Sequence, residues 1–389
     1  MARKLASIQK ITDIKPIPDR DRIALATVCG WQVIIQKDQF NIGDLCVFCE
    51  IDSVLPEKPE FEFLRKNNFR IKTMKMCNTI SQGICFTLDI LPQDKQYKID
   101  DDVTNIIGVT QYKKTMDIEE NSVTLSNSNN KRTIPPSLKP FIKYKWLNKF
   151  IKWVFLYNFG KDKIVDSSFP IEVSKTDETR IQSVPHLLDD KTNSWTVTEK
   201  LDGCSATFLL RKVPKKFSLP WSKNNFTYEY VVCSRNKSLP VKDNSVYWYI
   251  SDKYKIKQAL HNIMDYYCTI NGTSMSWIAL QGECVGPKIQ GNIYELDDYD
   301  FFAFNLTSSA RRFDTMFANL LLERENIKWV PILNSYFVTP DSVEDMLAYA
   351  HGNSIVNPDT LREGVVVRNN TFNTSFKAVD PIYLMKYDA

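Results

Sequence analysis

Histidine is scarce in this sequence of 389 residues, and several common catalytic motifs are missing from it. The three histidines, His186, His261 and His351, stand far apart, so the pattern gives little support to a zinc centre or a histidine-based hydrolase. The chain has no GxxxxGKS or GxxxxGKT pattern and therefore no sign of a P-loop nucleotide site. These absences direct attention to chemistry carried by lysines and carboxylates.

Long apolar runs are absent as well. No stretch reaches the roughly 18 to 20 uncharged residues that a membrane-spanning helix needs, and the first ten residues lack the apolar core of a secretory signal. The nine cysteines lie mostly in apolar runs, which is typical of buried thiols in a reducing compartment. The one CxxC pair, Cys46 and Cys49, has no second pair to complete a zinc site. We expect a soluble, intracellular protein, with the cytoplasm as its location.

The patterning predicts an α+β protein of two domains and a connector. Residues 1–105 contain about five short alternating runs, such as WQVIIQ (31–36), and these suit a small β-barrel of the OB-fold kind. Residues 106–165 read as a basic, aromatic connector. Residues 166–389 alternate strand-like runs with the helix-like stretches 247–267 and 311–327, which predicts antiparallel sheets flanked by helices.

Two segments are rich in lysine, arginine and aromatic residues. Residues 61–76 (FEFLRKNNFRIKTMKM) suit either contact with a nucleic-acid backbone or a solvated basic edge strand. Residues 131–163 hold nine Lys or Arg residues and a single acid, Asp162. For this second segment we weigh packing against a domain, contact with RNA, and a helix on a membrane surface.

Four short patterns in the second half combine reactive or charged residues with strand ends. In chain order they are Glu199–Lys200–Leu201–Asp202–Gly203, Ser234–Arg235 at the end of an apolar strand, Glu283 within a strand, and Glu363–Gly364 at the start of a strand. A carboxylate inside a strand is costly unless it is paired or close to a metal. Each pattern alone is weakly specific, and KxDG alone also suits a simple strand-to-turn junction.

Together and in this order, the patterns resemble the covalent nucleotidyltransferases, which comprise polynucleotide ligases and mRNA capping enzymes. Motif I resembles residues 200–203, motif Ia residues 234–235, motif III Glu283, motif IIIa residues 301–304, motif IV residues 363–364, and motif V Lys377 with Lys386. The resemblance implies a nucleotidyltransferase, or ATP-grasp-like ligase, domain over about 166–389.

A narrower resemblance concerns domain order. DNA ligases and capping enzymes carry an OB domain after motif V, whereas this chain stops at Ala389, and its β-rich module precedes motif I. That order is similar to RNA ligases of the Naegleria and Deinococcus type. The N-terminal text and residues 175–182 (KTDETRIQ), which include Arg180, also resemble that family. The expected activity is ATP-dependent RNA ligation.

The resemblance also implies roles for individual residues. Lys200 would be the nucleophile that captures AMP. The nucleotide would be bound by Glu199, Arg180, Arg235, Glu283, Phe304, Glu363, Lys377 and Lys386. Asp202, Glu283 and Glu363 would hold Mg²⁺ or Mn²⁺ through water, because such hard oxygen ligands suit a cation that keeps its water shell. Two positions depart from the family pattern: Val379 stands where many relatives have a second lysine, and Asn305 where some have aspartate.

Two other functions use the same residues. A DNA ligase or an mRNA guanylyltransferase would share the covalent chemistry, and a non-catalytic nucleic-acid-binding OB protein ranks third. Our expectation is a monomeric enzyme with ATP and Mg²⁺ or Mn²⁺ as cofactors. Its partner would be RNA, as a nicked duplex or a broken structured RNA, with end-healing supplied by other enzymes.

Overall fold

The computed structural model describes residues 4–112, 168–175, 177–191, 195–215, 225–241, 244–369 and 374–387. The basic segment 131–163, and with it the choice among packing, RNA contact and membrane contact, lies outside these described residues. Within them, no helix is long and apolar enough to cross a bilayer.

A five-stranded antiparallel sheet forms the N-terminal part, in the order β3-β2-β1-β4-β8. Its strands are β1 (Ala6–Pro16), β2 (Ile23–Val28), β3 (Trp31–Gln36), β4 (Leu45–Cys49) and β8 (Ile84–Phe86). In β3, the side chains alternate strictly between buried and partly exposed, so that Trp31, Val33 and Ile35 enter the core. This alternation confirms the period-2 pattern that the sequence shows there.

Shorter elements complete this part of the chain. They are β5 (Ser53–Val54), β6 (Thr73–Met76), β7 (Thr79–Gln82), α1 (Thr104–Ile107) and β9 (Thr110–Gln111). The edge-strand interpretation of residues 61–76 is wrong for the first half of that segment. Pro59–Asn67 forms a 3-10 helix, which begins with proline and buries Phe61 and Leu64 in the core. Only the last four residues of the segment, β6, form a strand, in a hairpin with β7.

Two further antiparallel sheets dominate the C-terminal part. One has the order β16-β10-β17-β18, and the other has the order β12-β11-β13-β14-β15, with a single parallel pairing between β14 and β15. The strands are β10 (Trp195–Lys200), β11 (Cys204–Pro214), β12 (Phe226–Cys233), β13 (Trp277–Val285), β14 (Asp300–Ser308), β15 (Lys328–Trp329), β16 (Ile332–Phe337), β17 (Gly364–Asn369) and β18 (Thr374–Val379).

Helices flank these sheets. They are α2 (Val246–Lys253), α3 (Ile256–Asn271), α4 (Thr315–Glu323), α5 (Val343–Ala350) and α6 (Pro381–Tyr387). The apolar face of α3, including Leu260 and Ile263, joins Phe208 and Leu280 of the second sheet in one core cluster. This arrangement confirms the predicted α+β class.

Both predicted helical stretches differ from the helices found. The stretch 247–267 forms two helices instead of one. Lys255 lies between them and adopts a left-handed backbone conformation (φ 49°), which interrupts the helix. The stretch 311–327 is helical only over Thr315–Glu323. There, Asp314 caps the helix by accepting a hydrogen bond from the Phe317 N–H.

Candidate active site

Lys200 and Glu363 meet although 163 residues separate them in the chain. Lys200 is the last residue of β10, and it pairs in register with Gly364, the first residue of β17. Glu363 directly precedes β17, so the pairing of these two strand ends brings its carboxylate to the lysine. The Lys200 Nζ lies 2.5 Å from the Glu363 Oε2. The contact is a close, largely buried ion pair.

The second sheet adds Glu283 to this pair. In the register of β11 and β13, Ser205 stands opposite Glu283, and its hydroxyl donates to the Glu283 Oε2 at 3.0 Å. Glu283 also lies close enough to Lys200, Glu363 and Asp202 to interact with their charges. Three carboxylates therefore surround one amine. We call Lys200, Asp202, Glu283 and Glu363 the carboxylate–lysine cluster.

Asp202 is held from two sides by tyrosines. Its backbone N–H donates to the Tyr294 hydroxyl at 2.8 Å, and its Oδ2 accepts a hydrogen bond from the Tyr383 hydroxyl at 2.8 Å. Tyr383 belongs to α6, near the end of the chain. Neither tyrosine received a role in the sequence analysis, although Tyr383 stands only three residues before Lys386.

The position after Asp202 has no room for a side chain, and Gly203 occupies it. A Cβ at this position would lie 2.3 Å from the Cys284 carbonyl oxygen and 2.9 Å from the Glu283 Cγ. The first contact cannot form without moving the backbone of the strand that carries Glu283, and the second would displace the Glu283 side chain. Glycine therefore allows the turn after Lys200 to approach β13 closely, which brings Glu283 into the cluster.

The pKa values of Lys200 and Glu283 are both raised above the ordinary values of these side chains. Burial acts most strongly on Lys200 and lowers its pKa, but the charges of Glu363, Glu283 and Asp202 oppose it, and the net effect raises that pKa. Burial raises the pKa of Glu283 to about 8, against the lowering influence of Lys200 and Ser205. The lysine is thus a cation in the free protein, and the cluster carries an excess of acidic groups.

Lys377 lies on β18, in an electrostatic environment that differs from that of Lys200. Burial is the main cause that lowers its pKa to about 8, and the cations Arg180 and Lys200 act in the same direction. Its Nζ donates to the Asp177 Oδ1 at 3.0 Å. Arg235 lies at the edge of the same group, with its Nη2 4.0 Å from that Asp177 oxygen and its side chain 49% exposed.

Three of the residues predicted to bind the nucleotide have side chains with other contacts. Glu199 precedes Lys200 on the strand, and its Oε2 accepts a hydrogen bond from the Ile355 N–H at 2.8 Å. The Lys386 Nζ lies 4.7 Å from the centre of the Tyr387 ring. Arg180 is buried and forms a salt bridge with Asp52. Their roles at the nucleotide stay predictions.

A cleft near the far end of β17 contains Phe304. In the pairing of β13 and β14, Gln281 stands opposite Asn305 and Gly282 opposite Ala303, so Phe304 is the extra residue of a β-bulge. The cleft is lined by Phe304, Asn305, Arg312, Phe313, Asp314, Thr315, Trp329, Arg368, Asn369 and Thr374. Because of the bulge, Phe304 lines the cleft, a position that the regular alternation of side chains along a strand would not predict.

Arg368 is the buried cation of this cleft, and sequence reasoning left it without a role. Its Nη2 donates to the Glu178 Oε1 at 3.1 Å, and its guanidinium lies 5.9 Å from the centre of the Phe304 ring. Its Nε and Nη1 are buried with no hydrogen-bond partner among the described residues. Buried donors in this state are costly, so the cleft suits a ligand that accepts hydrogen bonds.

No group of three or more His, Cys, Asp or Glu side chains in the described ranges is arranged so that it could hold a metal ion. The carboxylate–lysine cluster nevertheless fits a hydrated divalent cation by its chemistry. Its three acids outnumber the one lysine, and Mg²⁺ often binds to carboxylates through water. Binding through water stays a prediction.

Comparisons with known proteins agree on both parts of the chain. An OB-fold domain family matches residues 5–88, and the RNA ligase family matches residues 193–379. None of the curated protein sequences matches the chain.

Solved structures of Naegleria gruberi RNA ligase resemble the whole chain. The form with PPi is 27% identical, with a TM-score of 0.74 over 100% of this chain and 99% of that one. Mutants of the same ligase, one with AMP and Mn and one with ATP and Mn, give the same identity and TM-score over 99% of each chain. The chain therefore carries an RNA ligase domain over residues 193–379 with an OB-fold domain ahead of it, as the sequence predicts.

Proposed function

We propose that this RNA ligase is ATP-dependent and joins a 3′-hydroxyl to a 5′-phosphate through an intermediate in which AMP is bonded to Lys200. The observation that carries the proposal is the carboxylate–lysine cluster. A single amine contacts Glu363 at 2.5 Å and is surrounded by two further carboxylates at the end of a β-strand. A simple structural ion pair would need one carboxylate, and three acids around one lysine are costly unless they serve another purpose.

In the first step, the Lys200 Nζ attacks the α-phosphorus of ATP. The N–P bond forms, the bond to the β-phosphate oxygen breaks, and pyrophosphate leaves. AMP then passes to the RNA 5′-phosphate, and the 3′-hydroxyl attacks that phosphate and releases AMP. Covalent capture divides one difficult displacement into steps that each have a good leaving group.

Lys200 must lose a proton before it attacks, and in the free protein the carboxylates raise its pKa. A divalent cation bound near Asp202, Glu283 and Glu363 would offset their negative charge and remove the cause of that rise. Burial, which favours the neutral amine, would then dominate. The same group of residues therefore suits both a protonated resting lysine and a nucleophilic one.

Lys377 has the complementary task. Its ammonium group would stabilise the negative charge that develops on the α-phosphate. The pKa of Lys377 is about 8 in the free protein, and a bound triphosphate would raise it, so that the amine carries its charge when ATP is present. The two lysines thus change protonation in opposite directions when ATP and the cation bind.

The cleft of Phe304 and Arg368 suits the base of the nucleotide. An aromatic ring can stack on adenine, and the buried Nε and Nη1 of Arg368 are donors that match ring nitrogens with lone pairs. Arg368 and Lys377 lie on the same face of their sheet, because Val366 pairs with Lys377 and Arg368 with Ser375 in an antiparallel register. A nucleotide could therefore contact both.

The test uses α-labelled ATP with wild-type protein and with the Lys200→Ala variant. We expect the wild type to acquire label and to seal a nick, and the variant to do neither. Asp297→Asn, which changes a carboxylate outside the cluster, is the matched control and should retain both activities. A labelled Lys200→Ala protein would refute the proposed nucleophile.

A second comparison addresses the substrate. Matched nicked duplexes with RNA or DNA on the 3′-hydroxyl side, each tested with ATP and with GTP, separate the proposed function from a DNA ligase and from a guanylyltransferase. We expect sealing to require ATP and an RNA 3′-hydroxyl end. Preferential sealing of the DNA nick, or label acquired from GTP alone, would contradict the proposal.

A further inference from the structure

Asp52 belongs to the OB-fold domain, yet it forms a salt bridge with an arginine of the ligase domain. The Asp52 Oδ1 accepts a hydrogen bond from the Arg70 Nη2 at 3.0 Å, and its Oδ2 accepts one from the Arg180 Nη2 at 3.3 Å. Arg70 and Arg180 are both more than nine-tenths buried, with 5% and 8% of their surfaces exposed. One carboxylate thus pairs with two buried cations from different domains.

The backbone holds Asp52 firmly in this position. Its N–H donates to the Ile71 carbonyl at 2.9 Å, and its carbonyl accepts from the Tyr112 N–H at 2.8 Å. Arg70 is held as well, since its guanidinium lies 3.6 Å from the centre of the Tyr112 ring. The Asp52 carboxylate is therefore fixed before Arg180 contacts it, and it can act as an anchor.

Arg180 lies directly beside the motif V lysine. The Lys377 N–H donates to the Thr179 carbonyl at 2.8 Å, and Arg180 and Lys377 form a parallel β-bridge. The Lys377 amine is held from the same segment, because it donates to the Asp177 carboxylate. Residues 177–180 therefore define where the backbone and the amine of Lys377 lie.

The following residues fasten this segment to the OB-fold domain. The Gly30 N–H donates to the Gln182 carbonyl at 2.9 Å, and the Ser183 hydroxyl donates to the Glu50 carboxylate at 3.0 Å. A Cβ on Gly30 would lie 2.9 Å from the Gln182 Cα, so glycine is needed for this approach. The segment beside Lys377 is thus held by polar contacts to the OB-fold domain, and Asp52 contributes a salt bridge to them.

We propose that Asp52 is a positioning residue for adenylyl transfer: it holds Arg180, and through Arg180 it keeps Lys377 in place for the α-phosphate. The OB-fold domain would then take part in the reaction of the enzyme with ATP, before any RNA is bound. The inference rests on the proposed roles of Lys200 and Lys377.

The physical reason is the cost of an unbalanced buried cation. Without the Asp52 charge, the buried guanidinium groups of Arg70 and Arg180 lose the carboxylate that they share, and we expect Arg180 to shift in response. Because Arg180 and Lys377 share a β-bridge, that movement displaces Lys377. A displacement of about 1 Å in a group that acts on the transition state can reduce a rate by about 100-fold.

The test measures single-turnover formation of the Lys200–AMP adduct without RNA. Asp52→Asn keeps the size of the side chain and removes its charge. We expect its rate at saturating ATP to fall by about 10- to 100-fold, with a smaller change in the ATP concentration needed for half the maximal rate. Asp52→Glu, which restores the charge, should recover a large part of the rate.

Gln32→Ala is the matched control. Gln32 donates to the Glu344 carboxylate, another contact between the two domains, and neither residue belongs to the segment 177–180 that holds Lys377. The Gln32→Ala variant should form the adduct at the wild-type rate. If Gln32→Ala slows adduct formation as much as Asp52→Asn does, general domain docking explains the effect, and the proposal is overturned.

A double-variant cycle separates the charge pair from folding defects. In an Arg180→Met background, Asp52→Asn should cause little further loss, because the pair is already broken, whereas additive losses would contradict the proposal. Asp52→Asn protein that forms the adduct normally but seals RNA poorly would also overturn it, since Asp52 would then serve RNA. Failure of the wild-type protein to form any adduct would refute the proposed function itself.

Discussion

Replacing Glu283 by glutamine should make the metal-free protein more stable at alkaline pH while abolishing its ligase activity. The substitution keeps the shape of the side chain and its ability to accept a hydrogen bond from Ser205, but it removes a carboxyl group that is unfavourable to ionise. Burial raises the pKa of Glu283 from 4.5 to about 8 in the folded protein. Between these values, the folded state holds a proton that the unfolded chain has released.

The sign and size of the effect follow from this difference. Because the folded state binds more protons, raising the pH from 4.5 to 8 lowers the free energy of unfolding of the wild type. At 1.36 kcal/mol for each pH unit, the ceiling is about 5 kcal/mol. Glu283 is partly exposed and is coupled to Lys200, so we expect about 2 to 3 kcal/mol.

Urea titrations of the wild type and Glu283→Gln at pH 5 and pH 8.5, with a chelator present, provide the assay. The stability of the variant relative to the wild type should rise between the two pH values by the stated amount. A difference that is independent of pH would refute the reasoning, because it would mean that Glu283 ionises normally in the fold. Adduct formation and nick sealing by the variant should fall to background.

Three further substitutions test other parts of the account. Lys377→Met should slow adduct formation by about 100- to 1,000-fold at saturating ATP, as expected for the loss of one group that stabilises transition-state charge; an unchanged rate would remove Lys377 from that role. Tyr383→Phe deletes the hydrogen bond to Asp202, so the rate should fall by about 2- to 10-fold and the metal requirement should rise, and a metal titration of the rate checks this. Gly30→Val places a side chain against Gln182 and should cost about 1 to 3 kcal/mol, seen as a lower thermal midpoint; a midpoint equal to that of the wild type would show that the approach is not tight.

Local patterns predicted the strands well because their cause is local. Alternation in β3 and the apolar runs of β13 and β17 reflect which face of each strand is buried, and that information lies in neighbouring residues. The helices were harder to delimit. The break at Lys255 depends on a left-handed backbone conformation that lysine rarely adopts, so a lysine at that position does not predict the end of a helix.

The residues of the site were recognisable, but their contacts were not. Glu363 and Lys200 each belong to a short motif, whereas their meeting depends on the register of two strands that are distant in the chain. The place of Phe304 depends on a bulge, which adds one extra residue to the strand and so interrupts the alternation that a sequence pattern would show.

Some residues that hold the reactive groups received no role in the sequence analysis. Asp52 and Tyr383 are single residues in ordinary contexts, and their importance comes from what they contact in the folded chain: Arg180 for one, Asp202 for the other. A motif search finds the groups that react. The residues that hold those groups become visible only in three dimensions.

Locating the AMP adduct tests the central claim most directly. The purified enzyme would be incubated with ATP and Mg²⁺ without RNA, digested with a protease, and analysed by mass spectrometry. The account predicts that AMP is bonded to the peptide containing Lys200, at the lysine itself, and that added nicked RNA removes it. An adduct on any other residue, or one that RNA does not discharge, would contradict the account.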